Sequence, residues 1–406
     1  MKKLKSIPSG GSFGPLSPYI NTYLTQIKEQ GYAVGSIYEQ TYALKVLGCW
    51  LKRTGRGVQD LNEAVTCESL QRAFRRGYAK NAAWSTLHRL MAILRQRGAV
   101  PAAITARPSP SEQLICNYER FLLRERNLSG KTVAWHRHHV SRFLSEIFGG
   151  KHFNPSKLRA PDVTAFVQRN VHRGHPATAK SLLGTLRSFL RYLHYKGLID
   201  CDLSLAVPKV ARWSFSTVPK HLSPDQVREV LRHCDRGTAL GRRDYAILLL
   251  LARLGLRASE VVRLQLDDVE WETMRITVCG KGKSAQLPLP ADVARAIAKY
   301  LRNDRPRCAC RSVFIRDRAP IGGFSGSTAI SKIVQRALEK AGVVSVRKGA
   351  HLLRHSLATD MLRKGASLDE IGEVLRHKSP DTTAIYAKVD LNALKKLALP
   401  WPGGVQ

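Results

Sequence analysis

The first half of the chain repeats one helical pattern of apolar residues. Residues 17–100 and 112–199 each contain, in the same order, a helix, a second helix, a polar linker and a closing helix that ends at a glycine. The closing helices align at a constant offset of 99 positions, through Leu87, Leu90, Met91, Ile93, Leu94 and Gly98 against Leu186, Phe189, Leu190, Tyr192, Leu193 and Gly197. Spacings of three and four place these groups on one helical face. We therefore predict two small helical bundles, the first a candidate duplicate of the second, although any two amphipathic helices can be slid into register.

Two breaks in this pattern mark predicted domain boundaries. Residues 101–111 (PAAITARPSPS) contain three prolines and little periodicity, as is typical of a linker. Beyond the second break, Ser223, Pro224 and Gln226 stand at the N-cap, first helical and capping-box positions of a new helix. The predicted organisation is a basic flexible N-terminus (1–16), an N-terminal helical module (17–105), a second helical module (110–202), a linker (203–216), a C-terminal domain (217–400) and a tail (401–406).

The C-terminal domain combines helices with one predicted hairpin. An apolar helix stops at Gly255, and a second helix opens at Arg257. The segments RITV and AQLPL then flank a turn made by Gly280, Lys281 and Gly282, which indicates an antiparallel hairpin. Helices dominate from about 292 to 398, apart from a glycine-rich loop at 321–327. The predicted fold class is mainly α with a small antiparallel β-sheet.

The charge of the chain favours a polyanionic partner. Lys and Arg total 66 against 31 acidic residues, for a formal net charge of +35. Each cation that meets a phosphate releases condensed counterions, which favours nucleic acid over the competing partner, an anionic membrane surface. No apolar run of about 18 residues is present to span a bilayer, and residues 1–18 lack the apolar core of a signal peptide. We predict a nucleic-acid partner, no membrane association and a cytoplasmic location.

Basic residues mark the outer faces of both predicted bundles. They are Arg72, Arg75, Arg76 and Lys80 in the first, and Arg187, Arg191 and Lys196 in the second. The sequence does not distinguish phosphate contacts from solvated surface charges among them.

The sequence offers little sign of a metal or nucleotide site. Of the eight cysteines only Cys308 and Cys310 lie close together, and no Cys or His partner stands at zinc-finger spacing. Reduced structural thiols are therefore favoured over a metal site. Asp267 and Asp268 are adjacent, and adjacent positions do not converge on one ion as in a two-metal nuclease. No P-loop is present, so we predict no cofactor.

A short C-terminal stretch holds residue types that are suited to phosphodiester chemistry. Tyr386 follows His377 by nine residues in the run LRHKSPDTTAIYAKV, and HLLRH precedes both. Transesterification of DNA needs a nucleophile, neutralisation of the phosphorane and a proton for the departing oxygen. Arg257 and Arg354 carry planar forks suited to two phosphate oxygens, and His351 shares a helical face with Arg354.

Each of these residues also has a structural interpretation. Tyr386 lies in an apolar stretch and can be a packing tyrosine. Arg257 can pair with Glu260 at a helix start, and Arg354 can be an exposed helix charge. For the two histidines, His351 and His377, the alternative is capping or packing.

Four segments in order resemble the catalytic domain of the tyrosine recombinases, the phage-integrase and Xer-like family. They are LARLGLRASEVVRL, CGKGKSAQLPLP, HLLRHSLATDML and LRHKSPDTTAIYAKV, within about residues 217–400. The resemblance implies helical, SAM-like DNA-binding modules followed by a DNA breaking-rejoining domain. It also implies a 3′-phosphotyrosyl intermediate that frees a 5′-hydroxyl. Because that bond conserves energy, neither metal nor ATP is required.

The resemblance also assigns catalytic roles. Tyr386 is the nucleophile, and the groups that contact the scissile phosphate are Arg257, Arg354, His351 and His377. His351 is also the candidate acceptor of the tyrosine proton. Lys281 is the candidate general acid for the 5′-oxygen, with Lys283 as its rival. Ala285 and Gln286 stand where relatives often carry basic groups, and His355 is predicted to support the site structurally.

The expected partners are duplex DNA and further recombinase protomers. Leu391, Leu394 and Leu397–Ala398 share one face of a short final helix that either packs on its own domain or docks on a neighbour. In the resembling family such a helix helps to build a tetramer, so we expect a homo- or hetero-tetramer on two DNA sites. Residues 110–202 resemble the core-binding domain of that family.

The leading functional hypothesis is a site-specific recombinase or integrase that integrates, excises or transposes a mobile element. A type IB topoisomerase shares the same active-site residue types and is the second hypothesis. A catalytically inactive DNA-binding accessory protein is the third, although the presence of all six expected catalytic residues argues against it.

Overall fold

The chain folds mainly into α-helices, with one small antiparallel sheet, so the predicted fold class is confirmed. The computed structural model describes residues 13–73, 77–100, 108–149, 153–171, 176–208, 219–280 and 284–389. Close packing divides the chain into two compact units: residues 103–214 form one, and residues 1–102 with 215–406 form the other. Within the described ranges, no helix is both long enough and apolar enough to cross a membrane.

The N-terminal bundle has four helices around its own hydrophobic core. They are α1 (Ser17–Glu29), α2 (Val34–Arg53), α3 (Glu63–Ala73) and α4 (Gly77–Gln96). Leu44 of α2 and Leu87 of α4 are completely buried. The bundle also contacts the C-terminal part of the same compact unit. The amide nitrogen of Ile321 donates a hydrogen bond to the carbonyl oxygen of Gln30 at 2.8 Å.

Helix α3 lies where the sequence predicted only a polar linker, so that prediction is wrong. Among its described side chains, Thr66 and Ser69 are buried, and Val65 packs partly buried against the core. The Thr66 hydroxyl donates to the Asn62 carbonyl at 2.6 Å, and the Ser69 hydroxyl donates to the Thr66 carbonyl at 2.7 Å. These local bonds satisfy the buried polar groups, and a buried face that carries hydroxyls weakens the apolar periodicity of the helix.

The second bundle repeats the order of the first. Its helices are α5 (Pro110–Arg124), α6 (Gly130–Phe148), α7 (Ala160–Val171) and α8 (Pro176–Tyr195). A short 3₁₀ turn precedes the third helix in each bundle, at Val58–Asp60 and at Pro155–Lys157. Helix α7 again occupies a predicted linker, and here Val163, Phe166 and Val167 form a buried stripe that the earlier interpretation overlooked.

Two of the basic residues that mark the second bundle make hydrogen bonds at its end. Arg187 donates to the carbonyl oxygen of Pro208 at 2.7 Å, and Arg191 donates to the Ser204 hydroxyl at 3.2 Å. These bonds fasten the segment that follows α8 to the helix itself. The side chains of the corresponding charges in the first bundle, Arg72, Arg75, Arg76 and Lys80, lie outside the described residues.

The C-terminal domain surrounds its sheet with helices. The helices are α9 (Pro224–Arg232), α10 (Ala239–Arg253), α11 (Ala258–Arg263), α12 (Ala291–Asn303), α13 (Ser327–Lys340), α14 (His351–Arg363), α15 (Leu368–Leu375) and α16 (Pro380–Ala384). The strands are β1 (Val269–Glu270), β2 (Arg275–Cys279) and β3 (Ser284–Pro288), paired antiparallel in that order. The predicted capping box at Ser223 is confirmed, since its hydroxyl accepts from the Gln226 amide at 3.1 Å.

A tight turn after α10 brings distant parts of this domain together. Gly255 has a φ of +57°, which suits glycine. A Cβ at this position would stand 2.6 Å from Leu375 Cδ2, at the end of α15. The chain therefore passes close against α15 before α11 starts, and this places the start of α11 beside the residues that follow α15.

A long irregular segment joins α12 to α13. Residues 304–326 form a longer irregular segment than the predicted loop, held in part by Arg305, which donates to the Ser312 carbonyl at 2.9 Å. The predicted final helix carrying Leu391, Leu394 and Leu397–Ala398 lies outside the described residues.

Candidate active site

Tyr386 is buried and lies in the turn between α16 and a short 3₁₀ helix, Ala387–Val389. Its side chain is 1% exposed and packs in a small apolar cluster with Ala358, Ile371 and Leu375. The phenolic oxygen lies 2.8 Å from Nδ1 of His355. Burial raises the pKa of Tyr386 to about 12, so the phenol is neutral at physiological pH. The described state therefore keeps the phenol protonated and shielded from solvent.

His355, on α14, is the hydrogen-bonding partner of this phenol. Burial, followed by the influence of His351 and Arg347, lowers the pKa of His355 to about 4. The ring is therefore neutral at physiological pH, and its Nδ1 can accept the phenol proton when Nε2 carries the ring hydrogen. His355 thus touches the candidate nucleophile directly.

Arg354 lies on α14 and is 3% exposed, which excludes the alternative of an exposed helix charge. Its Nη1 donates to the carbonyl oxygen of Gly255, and its Nη2 donates to that of Leu375. Burial, together with the positive charges of Arg257 and Arg376, lowers the pKa of Arg354 to about 10. The guanidinium remains charged at neutral pH, and it is held rigidly between two backbone segments.

Arg257 is the N-cap residue of α11 and pairs with Glu260, as the structural alternative expected. Its Nη1 lies 2.8 Å from Glu260 Oε1, and its backbone amide donates to Glu260 Oε2 at 2.8 Å. Burial alone would raise the pKa of Glu260, but hydrogen bonds from Arg257 and the charge of Arg376 bring it below its usual value. The carboxylate is therefore ionised and orients the Arg257 guanidinium.

Both candidate histidines are neutral, and the charges of the same two arginines lower the pKa of each. His351 begins α14 with an exposed side chain, and its pKa is lowered by the surrounding protein and by the charges of Arg354 and Arg257. Burial and the same two charges lower the pKa of His377 to about 4. Nδ1 of His377 lies 2.7 Å from the Thr383 hydroxyl, which leaves Nε2 available for a ligand. Contacts place these residues around one small region. Arg354 and Arg257 donate to the carbonyl oxygens of Leu375 and Arg376, the two residues before His377, and His351 lies one turn before Arg354 on α14.

Lys281 and its rival Lys283 lie outside the described residues. The strands that flank them form the predicted hairpin, in which Cys279 pairs with Ser284. Arg263 of α11 donates to the Cys279 carbonyl at 2.6 Å, so the base of the hairpin is tied to the helix that Arg257 begins. Gln286 Oε1 accepts a hydrogen bond from Arg275 Nη1 at 2.9 Å, so this side chain links strands β2 and β3.

Sequence reasoning missed two residues of this region. Thr383 is the hydrogen-bond partner of His377, and Arg376 makes an ion pair with Glu260 at 3.1 Å. A hydroxyl six residues after a candidate histidine carries no usable pattern by itself. Arg376 stands directly after an amphipathic helix, at a position where glycine is common. An arginine at such a position is unusual, and this is the signal that the sequence offered.

Taken together, the described residues can bind and activate one phosphodiester. Two guanidinium groups donate to the backbone just before His377, and the buried tyrosine is hydrogen-bonded to a further imidazole on the helix that carries Arg354. Positive groups fixed before the reaction stabilise charge that develops on a phosphorane.

Comparison with known proteins defines the class of this chain. The phage integrase family model matches residues 220–392, and the model for the N-terminal SAM-like domain of phage integrases matches residues 115–197. The chain is 47% identical to a putative integrase/recombinase, y4rA of Sinorhizobium fredii, over 97% of this chain and 96% of that protein. It therefore belongs to the phage integrase family of tyrosine recombinases, enzymes that cleave and rejoin DNA.

More distant relatives agree with this assignment. The chain is 31% identical to the tyrosine recombinase XerD of Listeria monocytogenes, over 70% of this chain and 96% of that protein. Its fold is similar to that of the XerH recombinase bound to its difH substrate, with a TM-score of 0.51, 18% identity and coverage of 97% of this chain and 98% of that one. A lambda integrase fragment bound to a core site gives a TM-score of 0.53 at 16% identity, covering 69% of this chain and 95% of that one.

Proposed function

We propose that this chain is a site-specific recombinase that serves the integration, excision or transposition of a mobile element in the cytoplasm. The observation that carries the proposal is the convergence of Arg257, Arg354, His351 and His377 near Tyr386. These residues come from α11, α14, the end of α15 and the end of α16. The sequence similarity to a putative integrase/recombinase supports the same reaction class.

In the proposed reaction the Tyr386 oxygen attacks the scissile phosphorus, and the bond from phosphorus to the 5′-oxygen breaks. Arg257 and Arg354 bind the non-bridging oxygens, and His351 and His377 donate hydrogen bonds to them. The phenol proton passes to a neutral imidazole: His351 is the acceptor that the family resemblance suggests, whereas His355 already holds this hydroxyl. Lys281 gives its proton to the departing 5′-oxygen, which leaves a 3′-phosphotyrosyl bond and a free 5′-hydroxyl.

Duplex DNA and other protomers are the proposed partners. The net charge of +35 suits a DNA ligand, and the neighbours in fold include a lambda integrase tetramer bound to a Holliday junction, at a TM-score of 0.52. We propose a homo- or hetero-tetramer on two DNA sites, in which residues 110–202 act as the core-binding domain and 217–400 as the catalytic domain. In this proposal residues 17–105 are an additional helical module.

The experiment that tests this function compares recombination with relaxation. A plasmid carrying two copies of the DNA that flanks the gene is incubated with the purified chain, beside a plasmid of unrelated sequence. We expect exchange between the two copies and a covalent protein–DNA adduct at one position in each. Efficient relaxation of the unrelated plasmid by a monomer would instead indicate a topoisomerase. Binding without any adduct would indicate an inactive accessory protein.

The assignment of the general acid yields a separate prediction. We expect Lys281→Ala to slow cleavage of ordinary DNA by about 100- to 10,000-fold, the usual contribution of a positioned acid. A substrate with sulfur in place of the bridging 5′-oxygen should restore most of the rate, because a thiolate departs without a proton. Single-turnover cleavage of both substrates measures this effect.

Lys283→Ala is the matched control, since it removes a second lysine from the same turn. We expect its cleavage rate to stay near that of the original chain on both substrates. If only Lys283→Ala were slow and restored by sulfur, the roles of the two lysines would be exchanged. If neither variant responded to sulfur, the acid would lie elsewhere.

A further inference from the structure

Arg376 adopts a backbone conformation that ordinarily favours glycine. Its φ is 56° and its ψ is 50°, at the C-terminal end of α15. The Arg376 amide donates to the Glu373 carbonyl, and the His377 amide donates to the Gly372 carbonyl, each at 2.9 Å. This pair of bonds is a Schellman motif, in which the left-handed residue is most often glycine. A glycine would make the same two backbone bonds. The arginine adds one side-chain bond to its own helix, from Nη1 to the Val374 carbonyl at 2.9 Å, which leaves Nη2 for a further partner.

The side chain of Arg376 enters the candidate active site instead. Its Nη2 donates to Glu260 Oε2 at 3.1 Å, while Glu260 Oε1 accepts from Arg257 at 2.8 Å. Glu260 is 2% exposed, so two arginines share one buried carboxylate. The carbonyl oxygen of Arg376 also accepts from Arg257 Nη2 at 3.1 Å. Arg376 therefore braces Arg257 in two ways, through Glu260 and through its own backbone.

The cluster of Arg257, Arg354, Arg376 and Glu260 carries more positive than negative charge, which suits a phosphate ligand. Arg257, Arg354 and Arg376 affect one another electrostatically, and Glu260 is the acidic residue among them. Nε of Arg376 is buried and has no hydrogen-bond partner among the described residues. An arginine that only neutralised Glu260 would duplicate a bond that Arg257 already makes. Its separate contribution is to hold Glu260, and thereby the Arg257 guanidinium, in one orientation.

We propose that Arg376 is a positioning residue of the recombinase, which fixes the phosphate-binding orientation of Arg257 through their shared carboxylate, Glu260. This inference rests on the proposed function, because Arg257 must bind the scissile phosphate for its orientation to matter. Arg376 itself performs no proton transfer. Its loss slows strand cleavage while leaving DNA affinity unchanged.

The test uses Arg376→Gly, which keeps the left-handed backbone and removes the guanidinium. We expect this variant to fold, because glycine suits this conformation, but to melt at a lower temperature, because the buried Glu260 carboxylate loses one of its two arginine partners. At saturating DNA, we expect adduct formation to slow by roughly 10- to 100-fold, as when a reacting group is held out of place. Arg376→Lys, which keeps the charge without the fork, should be intermediate. Met274→Gly is the matched control, since Met274 also has a positive φ, 51°, but lies in the β1–β2 turn. It should cleave normally.

A double variant separates positioning from an independent role. If Arg376 acts through Arg257, then adding Arg376→Gly to Arg257→Ala causes no further loss, whereas independent effects multiply. Full cleavage by Arg376→Gly, or multiplicative losses in the double variant, would overturn the inference. The original chain is run in parallel, and an absence of adduct from that chain would refute the proposed function instead.

Discussion

Replacing Tyr386 with phenylalanine should abolish covalent capture of the protein on DNA. The phenol oxygen is the atom that bonds to phosphorus in the proposed reaction, and no other hydroxyl replaces it in a phenylalanine ring. The substrate is a duplex with a nick beside the cleavage site, so that a short strand diffuses away and rejoining is blocked. The adduct is then detected by its slower migration on a denaturing gel, and we expect none from the variant.

The variant should remain folded and bind DNA. The aromatic ring keeps its packing against Ile371 and Leu375, and only the bond to His355 is lost, at a cost of about 1 kcal/mol. Tyr300→Phe is the matched control, because Tyr300 is also buried. Its hydroxyl oxygen also takes part in a hydrogen bond, which it accepts from the Ile315 amide at 3.2 Å. We expect Tyr300→Phe to lose similar stability and keep adduct formation. An adduct from Tyr386→Phe would assign the nucleophile to another residue.

The burial of Tyr386 adds a condition to this chemistry. With 1% of its side chain exposed, the phenol meets no phosphate in the described state. DNA binding must therefore be accompanied by a movement that frees the hydroxyl from His355. The neutral imidazole, with a pKa of about 4, lies at hydrogen-bond distance from the hydroxyl in this state.

Most of the fold followed from apolar periodicity, and the exceptions have physical reasons. Helices with apolar stripes, such as α4 and α8, and the β2–β3 hairpin were predictable because their signals are local. Helix α3 was not, since it buries hydroxyls that bond to its own backbone. Helix α7 does carry an apolar stripe, of Val163, Phe166 and Val167, so its pattern was present in the sequence.

The candidate site divides in the same way between local and distant information. The residue types and their order were visible in the sequence, because each chemical role restricts the side chain. The contacts were not visible: His355 meets Tyr386 across 31 positions, and Arg354 reaches a carbonyl 99 positions away. Such contacts depend on how α10, α14 and α15 pack. The sequence therefore predicted the groups, whereas the structure showed that Arg354 also links two backbone segments.

Arg354→Ala should produce the second largest effect, on cleavage and stability together. Removing one preorganised donor to a developing anion costs about 100- to 1000-fold in rate. The same change leaves the buried carbonyls of Gly255 and Leu375 without their donor, at about 1–3 kcal/mol each. We expect a clear fall in melting temperature, together with adduct formation slowed by at least the factor above. Thermal denaturation and single-turnover cleavage measure the two effects.

Arg354→Lys separates the two effects, because lysine keeps the positive charge but cannot donate to two carbonyls in the planar arrangement of a guanidinium. Its matched control is Arg243→Lys, since Arg243 is also 3% exposed and donates to the Ile315 carbonyl at 2.8 Å, outside the candidate site. Both variants should lose stability, but only Arg354→Lys should lose cleavage per folded molecule. Equal cleavage by the two would mean that Arg354 serves the fold alone, and the phosphate would then need another cation beside Arg257.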